Sequence, residues 1–384
     1  PIKRGNAFSL GFMAAWSGLA TISLLWSPDL SNGFRKLTFI LSGTFFAFLL
    51  SMFFTRKKDF LIFFRCILIF VIMESLIGWY EIIFRNYHFV HSAADAAFYS
   101  TSSQRIPIAT TGNPNNFALL MLFGFFIAYI CFRCRSARWE GVVSILTMVS
   151  CVLLLLMTQS RAGLLGFALA AGGFVVIVLK PKPKYLIAIG GAAVIVALLI
   201  PSIRNNILSL FKFNFHAENL NSNSARVNLL LNGFYFLFRT FGLGTGIGGV
   251  EYWMANYSIF PTAGVINIHN WWMELLTEFG ILFFVVYAIF YGKLFLDFYR
   301  GLRRSSDPIV QAMATGLICC MAGFLIGAIG PSSVIPIEWP WMFWAGAIAF
   351  QGYITPLTQK ANHARSWASK LSEKLRDVTV KIGK

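Results

Sequence analysis

Two arginines and one histidine are the residues of this chain best suited to chemistry. Arg161 lies in the short turn TQSRAG between two apolar stretches, Arg226 follows the polar run NSNS, and His269 lies in NIHNWW just before another apolar stretch. A guanidinium presents paired N–H donors that fit phosphate oxygens, and an imidazole can accept a proton near neutral pH. Together they predict a site for an anionic substrate.

Each of these residues also has a plainer interpretation. The Arg161 side chain could extend to lipid headgroups, and Arg226 could form a surface ion pair. A lone histidine beside an aromatic pair, as in His269, is more often structural than catalytic. Their joint placement at one boundary of the predicted helix bundle is what favours a shared, lipid-borne anionic substrate.

Four glutamates lie within or beside apolar stretches. Glu74 and Glu81 are seven residues apart on one face of a predicted helix, and Glu274 and Glu278 are four apart at the start of another. Carboxylates at membrane depth are costly and usually face a cavity or a cation. We expect ion pairs with the outer arginines, and a proton relay, which would suit a transporter, is the alternative.

The composition fixes the class of element that carries these residues. Only 12% of the 384 residues are charged, 57% are hydrophobic, and the mean hydropathy is +0.68, whereas soluble domains carry about 25% charged residues. This excludes a soluble enzyme. The net charge of +17 comes from short basic clusters between apolar runs, which is typical of membrane orientation and not of a nucleic-acid groove.

Ten apolar stretches are long enough to span a bilayer, so we predict an all-α polytopic membrane protein with about ten transmembrane helices. The predicted spans are 6–26, 34–54, 60–83, 114–132, 141–157, 162–179, 185–201, 271–298, 309–329 and 339–355.

Basic residues occupy every second connection, which predicts that both ends of the chain face the cytoplasm. The two long connections, about 84–113 and 202–270, then lie outside, and the larger contains an apolar segment at 226–241 that predicts an interfacial or re-entrant helix. We assign 1–356 to one transmembrane domain and 357–384 to a basic, amphipathic cytoplasmic tail. The chain begins at Pro1 without a methionine, so we expect further sequence upstream.

Several apparent cofactor motifs are weak. The glycines of GLGTGIGG match a dinucleotide pattern, but no strand precedes them, and a flexible loop against a ligand or lipid is the better interpretation. Cys131 and Cys134 lack a second pair for zinc, and no Asp-x-Asp or HExxH is present. We therefore expect no metal and no cofactor.

Five segments together resemble the O-antigen ligase and polymerase superfamily, which assembles bacterial envelope glycans and includes teichuronic-acid-type polymerases. They are TGNPNNFA (111–118), TQSRAG (158–163), SARVNLLLNGF (224–234), the GLGTGIGG loop and HNWWMELLTEFG (269–280). The resemblance implies that Arg161 and Arg226 bind a pyrophosphate and that His269 activates the acceptor.

The residue types suit this chemistry. A glycosyl donor used outside the cytoplasm must arrive on a flipped undecaprenyl pyrophosphate, whose leaving group needs its developing charge neutralised. Arginine can do this without a metal, and an imidazole can take the acceptor hydroxyl's proton, so we expect a metal-independent, inverting transferase. The residues of the same motifs that we expect to contact substrate are Asn115, Asn116, Asn270, Trp271 and Glu274. The nearby tryptophans and tyrosines could stack on sugars or form an interfacial aromatic belt.

The predicted function is transfer of a glycan from undecaprenyl pyrophosphate to an acceptor hydroxyl at the extracytoplasmic face of the bacterial plasma membrane. Polymerase and ligase differ only in the acceptor, and the absence of a recognisable acceptor-docking domain slightly favours a polymerase. Expected partners are the lipid-linked donor, a glycan or lipid-glycan acceptor such as lipopolysaccharide, and membrane lipids. A flippase or chain-length protein is a candidate partner, and no nucleic acid is expected. The alternative is a polysaccharide or lipid exporter, which would more often show internal repeats and broken helices.

Overall fold

A computed structural model describes residues 4–90, 93–102, 105–180 and 222–357. Every regular element in these ranges is helical. The α-helices are α1 (Ala7–Ser23), α2 (Leu30–Phe53), α3 (Lys57–Phe84), α4 (Ala93–Thr101), α5 (Pro114–Arg133), α6 (Arg138–Met157), α7 (Arg161–Leu179), α8 (Ser222–Arg239), α9 (Gly249–Tyr257), α10 (Trp271–Arg304), α11 (Pro308–Gly327) and α12 (338–357).

Seven of these helices, α2, α3, α5, α6, α7, α10 and α11, are long and apolar enough to cross a membrane. The shorter apolar helix α1 and helix α12 coincide with two further predicted spans. The predicted all-α polytopic membrane protein is therefore confirmed. The predicted span 185–201 and the tail from 358 onward lie outside the described residues.

Helices α5 and α11 form the centre of the bundle. About four fifths of the apolar window of α5 and seven tenths of that of α11 are buried, against a fifth to two fifths for the other five candidate spans. Small residues allow close packing here, because a Cβ on Gly166 of α7 would lie 2.6 Å from the Gly323 carbonyl oxygen of α11. Without a hydrophobic force between helices in lipid, such close backbone approach is a main source of stability.

The two ends of the bundle differ in composition. At one end, here called the basic end, Lys57 pairs with Asp307 and Arg65 with Glu140, which brings three basic connections together. The other end, here called the site end, contains the starts of α2, α5 and α10 and the α6–α7 turn. The predicted inner connections that the structure describes thus share the basic end.

Helix α10 is broken near its start. Gly280 has φ 84° and ψ 176°, and a Cβ there would lie 2.3 Å from the Gly242 carbonyl oxygen. The backbone N–H of Thr245 donates to the Thr277 carbonyl (2.8 Å), and that of Gly246 donates to the Glu278 carbonyl (3.0 Å). The glycine-rich loop therefore supplies donors for the carbonyls that the break leaves without helical partners. The expectation of a flexible loop against a ligand is wrong, because its backbone packs on α10.

Candidate active site

Arg161 begins helix α7 at the site end. The Ser160 hydroxyl accepts a hydrogen bond from the Gly163 N–H (3.2 Å), which caps α7, and donates to Asn115 Oδ1 (2.8 Å). The turn of TQSRAG is thereby joined to the start of α5. From this position the exposed Arg161 side chain donates from Nη1 to Asn223 Oδ1 on the first turn of α8 (3.0 Å).

Arg226 lies on α8 three residues after Asn223, so the two share a helix face with Arg161 beside it. Burial and, next, the positive charge of Arg161 lower the pKa of the Arg226 guanidinium. Among the described residues neither arginine forms an ion pair with a carboxylate. Two like charges are thus held together without a counter-ion from the described parts of the chain.

His269 immediately precedes α10 and has a left-handed backbone conformation, φ 51°. Its Nδ1 lies 3.5 Å from the Gly330 carbonyl oxygen. Burial lowers the pKa of His269, the Gly330 contact opposes this, and the charge of Arg226 lowers it further. The imidazole is therefore neutral at pH 7, and a proton on Nδ1 would leave Nε2 as the acceptor.

The three residues lie near one another, because the charge of Arg161 acts on Arg226 and that of Arg226 acts on His269. A Cβ on Gly330 would lie 3.2 Å from Asn115 Oδ1 and 3.0 Å from Ala162 Cβ, so the segment that contacts His269 also touches the Arg161 turn. The structure therefore brings Arg161, Arg226 and His269 into one neighbourhood, as the sequence predicted.

The expected substrate contacts have mixed positions. Asn116 is buried and lines a cavity between α3, α5 and α12, here called the main cavity. Its Oδ1 has no hydrogen-bond partner among the described residues. Asn270 caps α10 by accepting from the N–H groups of Trp272 and Met273. Trp271 is only 4% exposed and donates from Nε1 to the Tyr287 hydroxyl (3.0 Å). Trp271 thus belongs to the aromatic core and presents no ring face for a sugar to stack on.

Glu274 and Glu278 meet a lysine that the sequence analysis did not single out. Lys36 of α2 is 1% exposed, and its Nζ lies 2.9 Å from Glu274, 2.5 Å from Glu278 and 2.9 Å from Glu251 of α9. The Ser333 hydroxyl also donates to Glu274. We call Lys36, Glu251, Glu274 and Glu278 the buried ion cluster. It contains the expected ion pairs for α10, but the cation is a lysine instead of an outer arginine.

The cluster has more acidic than basic groups. With all four groups ionised it would carry two net negative charges away from water, which burial disfavours. Glu274 Oε2 and Glu278 Oε2 are buried without hydrogen-bond partners in the described parts of the chain. The three carboxylates are the one group within the described ranges whose ligand atoms lie close enough to hold a metal ion, within 4.8 Å of one another. The Lys36 ammonium contacts all three and occupies the position that an ion would need.

The other two membrane-depth glutamates shape a loop. Glu81 accepts from the backbone N–H groups of Ile108 and Ala109 (both 2.8 Å), and Glu74 accepts from the Thr110 hydroxyl (2.6 Å). The expected ion pairs with outer arginines are wrong for these two residues. Their carboxylate oxygens instead hold the segment 108–110, which leads into α5.

The main cavity, of 1210 Å³, opens beside Lys36 and Glu251 of the buried ion cluster. Its polar part includes Arg35, Lys36, Glu251, Asn116 and Ser333. Its apolar part runs between α3, α5 and α12, from Asn116 to Ile127 along α5, roughly 17 Å at 1.5 Å per residue. The residues lining that part include Phe63, Ile67, Phe70, Leu120, Phe123, Met342 and Phe343.

Sequence reasoning missed Lys36 and Ser333. Lys36 stands near the start of a predicted span, where an ionisable residue requires a partner. That signal was readable, but its partners are more than 200 residues away in the chain. Ser333 had no signal in the sequence.

Comparison with known proteins supports the sequence resemblance. Residues 146–288, which include Arg161, Arg226 and His269, match the O-antigen ligase family model. This match confirms the resemblance to the O-antigen ligase family over that segment. The chain is a multi-pass membrane protein.

The chain is also similar to the "Teichuronic acid biosynthesis protein TuaE" of Bacillus subtilis (strain 168). It is 29% identical over 348 residues, which cover 88% of this chain and 70% of the relative. A solved structure titled "Structural coordination of polymerization and crosslinking by a peptidoglycan synthase complex" is similar over 91% of this chain and 96% of that one, with 15% identity and a TM-score of 0.47. That likeness is too slight to support an argument.

Proposed function

We propose that the protein transfers a glycan from undecaprenyl pyrophosphate to an acceptor hydroxyl at the extracytoplasmic face of the bacterial plasma membrane. The observation that carries the proposal is the Arg161–Arg226 pair, which has no carboxylate partner among the described residues and lies beside a neutral His269. Such a pair is suited to an anion with several oxygens, and a pyrophosphate is one.

The main cavity supports a lipid-linked donor. Its volume of 1210 Å³ exceeds the roughly 300–1,000 Å³ of ordinary small-molecule pockets. Its polar part includes Asn116 of the segment TGNPNNFA and Asn267, which lies two residues before His269. Its apolar part extends into the bundle, where the first isoprene units of a carrier would be shielded.

The reaction needs one bond formed and one broken at the anomeric carbon. The acceptor oxygen attacks that carbon, its proton passes to His269 Nε2, and the bond to the pyrophosphate oxygen breaks. The guanidiniums of Arg161 and Arg226 neutralise the charge that develops on the leaving group. Attack opposite the leaving group inverts the anomeric centre, and no metal enters this sequence of steps.

We infer that the acceptor is another lipid-linked glycan, so that the protein acts as a polymerase of a cell-wall polysaccharide. The support is the relative named for teichuronic acid biosynthesis.

The test is reconstitution with a lipid-linked oligosaccharide, followed by gel analysis of chain length. In Arg161→Lys and Arg226→Lys the charge is kept but the paired donors are lost. We expect each to lower the transfer rate by roughly 10- to 150-fold, the value of a charged hydrogen bond of about 1.5–3 kcal/mol. Arg239→Lys on the same helix is the matched control, because the Arg239 side chain donates to the Tyr235 hydroxyl and lies over its ring. Full activity in both site variants would contradict the pyrophosphate assignment.

The buried ion cluster beside a cavity is also what an exporter would use, because transporters place ionisable groups at membrane depth. An exporter would move intact lipid-linked glycan across sealed vesicles without lengthening it. Elongated product with no transbilayer movement would exclude the exporter.

A further inference from the structure

A second cavity, of 400 Å³, lies at the basic end between α5, α7, α10 and α11. Three cations from three different helices line it: Arg133 in the last turn of α5, Lys180 at the end of α7 and Arg303 in the last turn of α10. No carboxylate is among its lining residues. We call this cavity the basic pocket.

The carboxylates at the basic end pair with cations that do not line the basic pocket. Each acidic residue that the structure describes at the basic end forms an ion pair with a cation outside the pocket. These pairs are Asp59 with Arg56, Glu140 with Arg65, Asp297 with Lys293 and Arg300, and Asp307 with Lys57. The three cations that line the basic pocket therefore have no carboxylate partner in the described ranges, and their joint charge favours a bound anion.

The remaining lining has the two-part character of a phospholipid site. Tyr299 and Thr315 offer hydroxyls beside the cations, whereas Val176, Val178 and Leu302 form an apolar wall. Val176 and Val178 belong to α7, which is the least buried of the seven candidate spans. The pocket thus opens beside an apolar surface of α7, on which Val176 and Val178 are exposed.

We propose that the basic pocket binds the phosphate headgroup of an anionic phospholipid, with its acyl chains along α7. Basic pockets between helices on the cytoplasmic side are where anionic headgroups bind in other membrane proteins. The apolar wall favours a lipid over a free phosphate ion. The site is separate from the proposed transfer chemistry, since its residues lie at the opposite end of the bundle.

Native mass spectrometry of the detergent-released protein tests the proposal, with equimolar phosphatidylglycerol and phosphatidylcholine as probes. We expect the wild-type protein to retain phosphatidylglycerol preferentially. Arg303→Gln and Lys180→Gln should each lower that preference by about fivefold, the equivalent of roughly 1 kcal/mol per cation. Arg304→Gln removes the same charge from the neighbouring residue, which does not line the pocket, and should leave the preference unchanged.

Three outcomes would overturn the proposal. An equal loss in Arg304→Gln would mean that net charge alone attracts the lipid. Unchanged retention in both pocket variants would mean that the lipid binds elsewhere. Displacement of the lipid by millimolar inorganic phosphate would mean that the pocket recognises the free ion, without a contribution from the acyl chains.

Discussion

Replacing Lys36 with methionine should strongly destabilise the protein. The change removes the one ammonium group that contacts Glu251, Glu274 and Glu278, at 2.9, 2.9 and 2.5 Å, while keeping a side chain of similar length. At an effective dielectric constant near 20, each such contact is worth about 6 kcal/mol of attraction, much of it offset by desolvation. Breaking a buried ion pair from one side costs about 3–5 kcal/mol, because the remaining charge stays buried without a partner.

The measurement is unfolding of purified protein in a fixed detergent, followed by intrinsic fluorescence. Lys57→Met is the matched control, because the Lys57–Asp307 pair at the basic end is about one third exposed on both sides, and such pairs contribute about 0–1 kcal/mol. Adding Glu278→Gln to Lys36→Met should recover part of the loss, since it removes one uncompensated charge. Acid pH should also reduce the loss, because protonated carboxyls no longer need a cation.

A loss below about 1 kcal/mol in Lys36→Met, equal to that of the Lys57 control, would refute this reasoning. It would mean that water or a solvent cation replaces the ammonium without cost. A large loss that Glu278→Gln does not reduce would also contradict it, because packing and not charge would then explain the effect.

Three further results are expected. His269→Asn keeps a residue that tolerates a left-handed backbone but cannot act as a base, so transfer should slow by about 10²- to 10⁴-fold while donor binding remains. Because the pKa of His269 is lowered, the wild-type rate should fall only at a pH below the ordinary histidine value of about 6.5. If the rate of the variant falls with acid in the same way, His269 is structural. Gly280→Ala should destabilise the protein by several kcal/mol, because Gly280 has a φ of 84° and an added Cβ would meet a backbone oxygen. Gly292→Ala should not, because nothing lies within 4 Å of the Cβ added there. Equal shifts in melting temperature would contradict the role given to Gly280 in breaking α10. A cysteine at Ser332 should react with an impermeant thiol reagent from outside sealed cells and one at Ser305 should not, and labelling of Ser305 would reverse the predicted orientation.

The sequence by itself determined the class of protein and most of its spans. Apolar stretches of bilayer length must be helical, because lipid offers no partner for backbone N–H and C=O groups. Basic clusters in every second connection predicted which connections lie on the same side, and the described ones share the basic end. The same local patterns identified Arg161, Arg226 and His269, because each lies in a short polar segment that interrupts an apolar one.

Only the tertiary structure decided which charges meet. Lys36 and Glu278 are 242 residues apart, and no local pattern shows that a lysine on α2 balances glutamates on α9 and α10. The role of the glycine-rich loop likewise depends on the tertiary structure. Its N–H groups donate to the carbonyls that the break of α10 at Gly280 leaves without helical partners. Both features depend on long-range contact between groups that burial forces to find partners, and the identity of a partner is fixed by how the helices pack, which local sequence does not record.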